Sequence, residues 1–208
     1  LQIQELENEV ILMLSNPTNS TNYQEKYIEE DPFIVANDPN ADKSYRFQGY
    51  QIYQLKNNQI SVSDLKDPTK ARLVAQCDIK DDIEDIINFE FDEDLGFSVP
   101  IKMVSAQNEG IRHSFSVKTD LFAQGSSQLV NFKRYYYIAV AYAHNNYKDY
   151  IPDDPLALDG QKKRYILSRK APMGEAVAVE VIPHISAPEA GGTLHYLAYG
   201  SSPKITRL

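Results

Sequence analysis

Period-2 alternation of apolar and polar positions dominates the chain, the signature of strands that turn one face inward. Residues 9–14 open the series, with Val10, Leu12 and Leu14 on one face and Ile11 and Met13 on the other. Both faces are apolar, which predicts a covered strand, and Asn16-Pro17 ends it in a polar loop over 18–22. The stretch 23–36 is mixed, and Asn37-Asp38-Pro39-Asn40 reads as another loop. Alternation resumes over 45–55, where Phe47, Gly49, Gln51 and Tyr53 fall on one face and Tyr50, Ile52 and Gln54 on the other. Ser63 is positioned to cap a short helical turn containing Asp64, and 71–79 reads as the next strand, with Cys77 among its buried positions.

The pattern then changes. Between 78 and 94 lie nine carboxylates and one lysine, interrupted by Ile83, Ile86, Ile87, Phe89 and Phe91. An acidic segment with apolar anchors is expected to be an insertion that folds back on the body. Over 111–118, Ile111, His113, Phe115 and Val117 alternate with polar residues, so His113 is expected to point inward. The strongest strand covers 133–143 and is apolar on both faces apart from tyrosine hydroxyls, as at the centre of a sandwich sheet. Residues 145–163 form a long polar loop, and a last strand spans 176–182. Pro183, Pro188 and Gly191-Gly192 then suit a linker or arm over 183–208.

Composition agrees with this reading. The chain has 14 Tyr, 8 Phe and no Trp, a bias toward residues that suit pleated, half-buried surfaces. Its 208 residues, 42% hydrophobic and 24% charged, are enough for one elaborated domain or two small ones. No apolar run approaches the roughly 18 residues of a spanning helix. A net charge of −8 argues against nucleic acid, which needs a concentrated basic surface; the basic clusters at 162–164 and 169–170 are short. The single cysteine makes no internal disulfide, so the core must hold the fold. About seven short strands with turns between them and no βαβ alternation predict an all-β sandwich.

The run Leu129-Val130-Asn131-Phe132-Lys133-Arg134-Tyr135-Tyr136-Tyr137-Ile138-Ala139-Val140-Ala141 resembles the E-to-F corner and F strand of fibronectin type III domains. There a leucine precedes a tyrosine by six positions and alternate residues after the tyrosine enter the core. Leu129, Tyr135, Tyr137, Ala139 and Ala141 fit those places. The resemblance implies that Tyr135 is a corner tyrosine whose hydroxyl is tied to nearby backbone. Phe47-Gln48-Gly49-Tyr50-Gln51-Ile52-Tyr53 is similar to the family's C strand, with Tyr50 in a structural place. The tryptophan usual in strand B is absent, and 10–14 fill that space. The implied fold is a fibronectin type III or immunoglobulin-like sandwich over 1–182, with long loop insertions.

The segments around Gly49 to Leu55, Asp67 to Gln76 and Tyr165 to Lys170 also look like a module of large Bacteroidetes surface proteins. That likeness implies an extracellular or cell-surface location and export by type IX secretion. The partners expected are neighbouring domains of the same polypeptide, surface or secretion-system proteins, or glycans.

Candidate chemistry is sparse. His113, His144, His184 and His195 show no paired metal spacing. Asp92 and Asp94, and Asp153 and Asp154, offer hard oxygen ligands of the kind calcium uses, but neither loop has the spaced calcium-binding pattern, and solvated acidic loops are the simpler reading. No cofactor is expected. Gly125-Ser126-Ser127 and Gly200-Ser201-Ser202 lack a nucleophile elbow, and no phosphate loop is present. Tyr142, Tyr147 and Tyr150 form a candidate exposed aromatic patch for stacking on sugars or anchoring a partner. The expectation is therefore a non-catalytic structural or interaction module. The alternative is a carbohydrate-binding or accessory module of an extracellular hydrolase.

Overall fold

The computed structural model describes residues 1–37, 40–156, 158–168 and 176–185. The elements are β1 (Gln2–Leu6), β2 (Glu9–Met13), β3 (Ile28–Glu30), helix α1 (Pro32–Asn37), β4 (Ser44–Leu55), β5 (Ala71–Asp78), β6 (Asp85–Asp92), β7 (Phe97–Ser105), β8 (Ser114–Val117), β9 (Tyr135–His144), β10 (Tyr165–Leu167) and β11 (Val179–Val181). All strand pairs are antiparallel. One sheet has the order β1-β2-β8; the larger has β10-β9-β4-β3, with β5 on β4 and β11 on β9; β6 and β7 form a separate hairpin. The chain is all-β, and most of the expected arm over 183–208 lies outside the described residues.

Local chemistry sets these elements. The β1–β2 hairpin turns at Glu7-Asn8, and Asn8 takes a left-handed φ of 51°, which asparagine tolerates well. At 62–64 a 3₁₀ turn is closed by a reciprocal capping box between Ser61 and Asp64, so Ser61 rather than Ser63 is the cap. The acidic segment from 78 to 94 does not remain a loop. Its second half is β6, which pairs with β7 from Asp85↔Ser105 to Asp92↔Phe97.

Strand β9 organises the core because its two faces bury different partners. Tyr135, Tyr137, Ala141 and Ala143 join Val10 and Leu12 of β2, Phe115 and Val117 of β8, and Phe47, Tyr50 and Ile52 of β4. This single apolar layer is shared by the two large sheets, and full burial of each such side chain contributes roughly 1.5–3 kcal/mol. On the reverse face, Ile138 and Val140 pack with Leu55, Ile60, Leu65 and Ala71. Beside them Tyr142 and Tyr165 pack with Ile86 and Val104 of the hairpin.

Two expectations are corrected here. Phe47 and Tyr50 share one face, not opposite ones, and their rings meet edge-on at 4.9 Å. The cause is a bulge in the β4–β9 ladder between Phe47 and Gly49, where one extra residue inverts the alternation. His113 is exposed and bonds Glu25 at 2.6 Å, because β8 begins only at Ser114 and the inward alternation does not extend back to it.

Candidate functional site

At the entry to β9 the Val130 N–H donates to the Tyr135 hydroxyl at 2.8 Å. Leu129 is 1% exposed and sits in the shared layer beneath it. The Tyr50 hydroxyl accepts from Asn16 at 2.5 Å and Asn22 at 3.0 Å, which ties β4 to the 14–27 connection. Burial first, with the bond to Asn16 opposing it, pushes the Tyr50 phenol well above its ordinary range. These three residues hold elements together and face no open cleft.

The candidate aromatic patch is corrected. Tyr142 is 0% exposed and Tyr150 7%, while Tyr147 is half-buried. Tyr142 lies 5.4 Å from the Tyr165 ring, and Tyr150 meets Phe89 of β6 at 4.8 Å. The hairpin supplies the cover, and Gly49 supplies the room: a Cβ there would stand 2.6 Å from the Tyr142 hydroxyl. With the Tyr142 and Tyr150 rings inside, the three tyrosines do not form one exposed patch.

The two acidic pairs lie apart, Asp92 and Asp94 where β6 turns into β7 and Asp153 and Asp154 in the connection before β10. Asp92 Oδ1 accepts from the Asp94 and Leu95 amides at 2.9 and 3.0 Å, and Asp154 Oδ1 accepts from Leu156 at 2.9 Å. Both carboxylates shape turns, and Asp94 and Asp153 are exposed. Among the described residues no group of three or more His, Cys, Asp or Glu side chains is set to hold a metal ion. His144 is half-buried with its pKa lowered by burial and then by Arg164; His195 lies outside the described residues.

What the structure brings together instead is a seam of buried polar groups behind the central sheet. Gln51, 1% exposed, donates to Gln76 Oε1 and to the Met103 carbonyl, both at 3.1 Å. Its own oxygen accepts from Tyr165 at 2.7 Å and Tyr53 at 3.0 Å, so all four of its bonds are made. Asn88 of β6 accepts the Arg164 and Tyr165 amides at 2.8 Å each and donates back to the Tyr165 carbonyl. The Asp78 carboxylate accepts the Gln107 and Asn108 amides at 3.0 and 2.7 Å. Burial pushes Tyr53 up to about 12 and also raises Tyr165 and Tyr142 well above the ordinary phenol range. Gln51, Asn88, Asp78 and Tyr165 have partners that satisfy them, whereas the buried Tyr142 hydroxyl has no hydrogen-bond partner among the described residues.

A second polar station lies near the entry of β9. Burial raises the Asp120 carboxyl, but bonds from Lys133 and Gln54, both 2.8 Å, and from the Phe122 amide outweigh it, leaving the pKa below the ordinary value. Cys77 is buried, and burial first of all raises its thiol pKa, so it is a poor nucleophile.

A groove of about 680 Å³ opens where β5, β7 and β8 converge. Leu73, Val74 and Ala75 form one wall, Lys102 to Ser105 the second, and Ser114 to Ser116 the third, with Arg112 at the rim. Among the described residues β5 pairs only with β4 and β8 only with β2, so each presents an unpaired edge on this side. A smaller groove of about 440 Å³ runs between β6 and β10. Two of its three lysines are engaged, Lys66 by Glu90 and Lys162 by the Tyr150 ring. Sequence reasoning missed the larger groove because its walls come from three distant segments, each ordinary by itself.

The site and fold define an all-β protein of two antiparallel sheets around a shared apolar layer, with an added hairpin. Compared with known proteins, the chain matches no family model, no curated protein and no solved structure. No helix among the described residues is long and apolar enough to cross a membrane.

Proposed function

We propose that the chain is a fibronectin type III-like module of a larger secreted or cell-surface protein, acting as a non-catalytic structural and interaction element. One observation carries this reading. The β1-β2-β8 sheet faces β5-β4-β9, with β10 and β11 on the far side of β9, and a tyrosine hydroxyl at the entry of β9 is bonded to backbone five residues upstream. Two antiparallel sheets with crossing connections and a corner tyrosine before a central strand are the pattern of immunoglobulin and fibronectin type III modules. A frame of this kind holds its core fixed and delegates recognition to loops and free edges.

The side-chain chemistry supports the same reading. Asp120 is held by Lys133, Asp78 by two amides, His113 by Glu25 and Cys77 by burial. Each of these groups is committed to holding an element in place.

The test uses the full-length parent protein and the isolated chain together. Cross-linking of the parent on intact cells is expected to join this module to neighbouring domains or surface proteins, and protease added outside is expected to cleave it. The isolated chain is expected to turn over nothing in a panel of polysaccharide and peptide substrates. Turnover abolished by Asp120→Asn or Asp78→Asn, or a parent protein retained wholly inside the cell, overturns the proposal.

A further inference from the structure

The groove between β5, β7 and β8 has the features of a strand-addition site, and we infer that it binds an extended, acidic peptide segment of a partner protein. The inference rests on the reading of the chain as an interaction module and assigns that role to one place.

Two observations point to an extended occupant. First, the groove lies where the unpaired edge of the larger sheet, β5, opens toward the unpaired edge of the smaller one, β8. A free strand edge carries a row of backbone donors and acceptors that another extended chain satisfies. Second, the β4–β5 register shifts between Ile52↔Ala75 and Tyr53↔Leu73, which leaves Val74 as an extra residue on β5, inside the groove wall. The bulge leaves Val74 without a partner on β4 and bends β5 locally, so an added segment pairs with a short stretch of this edge rather than prolonging the whole sheet. Phe115 and Val104 add buried apolar surface below.

Charge selects the occupant. In a chain of net charge −8, the groove lining holds Lys102 and Arg112 and no carboxylate. Lys102 is bound by Asp85 on the neighbouring strand of the hairpin. Arg112 is exposed, lies over the Phe115 ring at 5.4 Å and, among the described residues, makes no ion pair. Its backbone carbonyl accepts from the Cys77 thiol, which fixes its place at the rim beside the end of β5. An arginine stacked on an aromatic face with its guanidinium uncommitted is arranged for bidentate capture of a carboxylate. An acidic strand therefore gains backbone pairing from the edges and an anchor at Arg112, whereas a basic strand meets repulsion.

The experiment pans a displayed library of random peptides of 8 residues, the length of β5, against the folded chain. The enriched peptides are expected to carry Asp or Glu among alternating β-branched residues. A synthetic copy of the best is expected to slow amide exchange at 73–76 and 114–116. Its affinity is expected to fall more than about tenfold for Arg112→Glu. Arg112 is exposed, so this variant keeps the fold, and Arg134→Glu, remote from the groove, leaves affinity unchanged. Peptides that bind Arg112→Glu equally well, or that protect amides elsewhere, overturn the groove assignment while leaving the module reading standing. A library that yields no binder overturns the assignment as well. Protection of the same amides by dimerisation of the chain alone, seen as a doubled mass in light scattering, overturns the acidic peptide as occupant.

Discussion

The two faces of the central sheet solve burial in opposite ways. In front, β4 and β9 meet β2 and β8 through Val10, Leu12, Phe47, Ile52, Phe115 and Val117, side chains that need only to fit. Behind, beside the apolar clusters around Ile138 and Tyr142, the insertion is registered by polar bonds from Gln51 of β4 to the Met103 carbonyl, from the Tyr165 amide to Asn88 of β6 and from the Gln107 amide to Asp78 of β5. Apolar packing is non-directional and tolerates adjustment, whereas a buried amide must find its partners at fixed positions. The front therefore supplies most of the stabilisation. The back supplies registration, fixing where the 79–113 insertion sits against β10 and hence where the groove opens.

Substitutions rank this contrast. Ile52→Ala, at a fully buried front position, is expected to lose about 3–4 kcal/mol in urea unfolding, with loss spread across every strand. Gly49→Ala is expected to cost about 3 kcal/mol, since a Cβ there stands 2.2 Å from the Cys77 carbonyl and 2.6 Å from the Tyr142 hydroxyl. A neutral result for Gly49→Ala would mean that Tyr142 is not seated against β4. Asn88→Ala is expected to cost about 2 kcal/mol by leaving the Arg164 and Tyr165 amides unpaired, and thermal melts of the variant read that loss.

Acid provides a smaller probe. Asp120 has a folded pKa below its unfolded value, so the stability it contributes is present above the unfolded value and is lost as pH falls through the folded one. Unfolding measured below about pH 4 is expected to show this loss in the parent chain, and Asp120→Asn is expected to flatten it. The buried phenols act in the opposite direction. Tyr53, Tyr142 and Tyr165 have raised folded values, so their contribution is complete below about pH 10 and declines as pH rises further. The smallest effect belongs to Arg134→Ala, whose ion pair with Glu180 is exposed; it is expected to stay within about 0.5 kcal/mol.

What was legible in the sequence tracks the same division. Strands β2, β4, β5 and β9 stand out because long apolar alternation is written into local residues such as Val10, Leu12, Ile52, Tyr137 and Val140. Tyr135 and Leu129 were identifiable from the spacing that carries the fibronectin type III resemblance. The hairpin was hidden because Ile86 and Asn88 fall among carboxylates, and the strand they form depends on partners at 97–105. Burial of Tyr142 and Tyr150 depends on that hairpin, so local sequence marked them as exposed. The bulge that brings Phe47 and Tyr50 to one face follows from pairing with β9, a partner some ninety residues away. The groove is non-local for the same reason.

Native-state hydrogen exchange on the isolated chain, with and without Asn88→Ala, tests the division between the two faces most directly. Amides of β2, β4 and β9 are expected to exchange only through global unfolding, while those of β6, β7 and β10 open at lower free energy, and Asn88→Ala is expected to lower the second set by more than the first. Equal opening free energies in both sets, shifted equally by the substitution, would contradict the account.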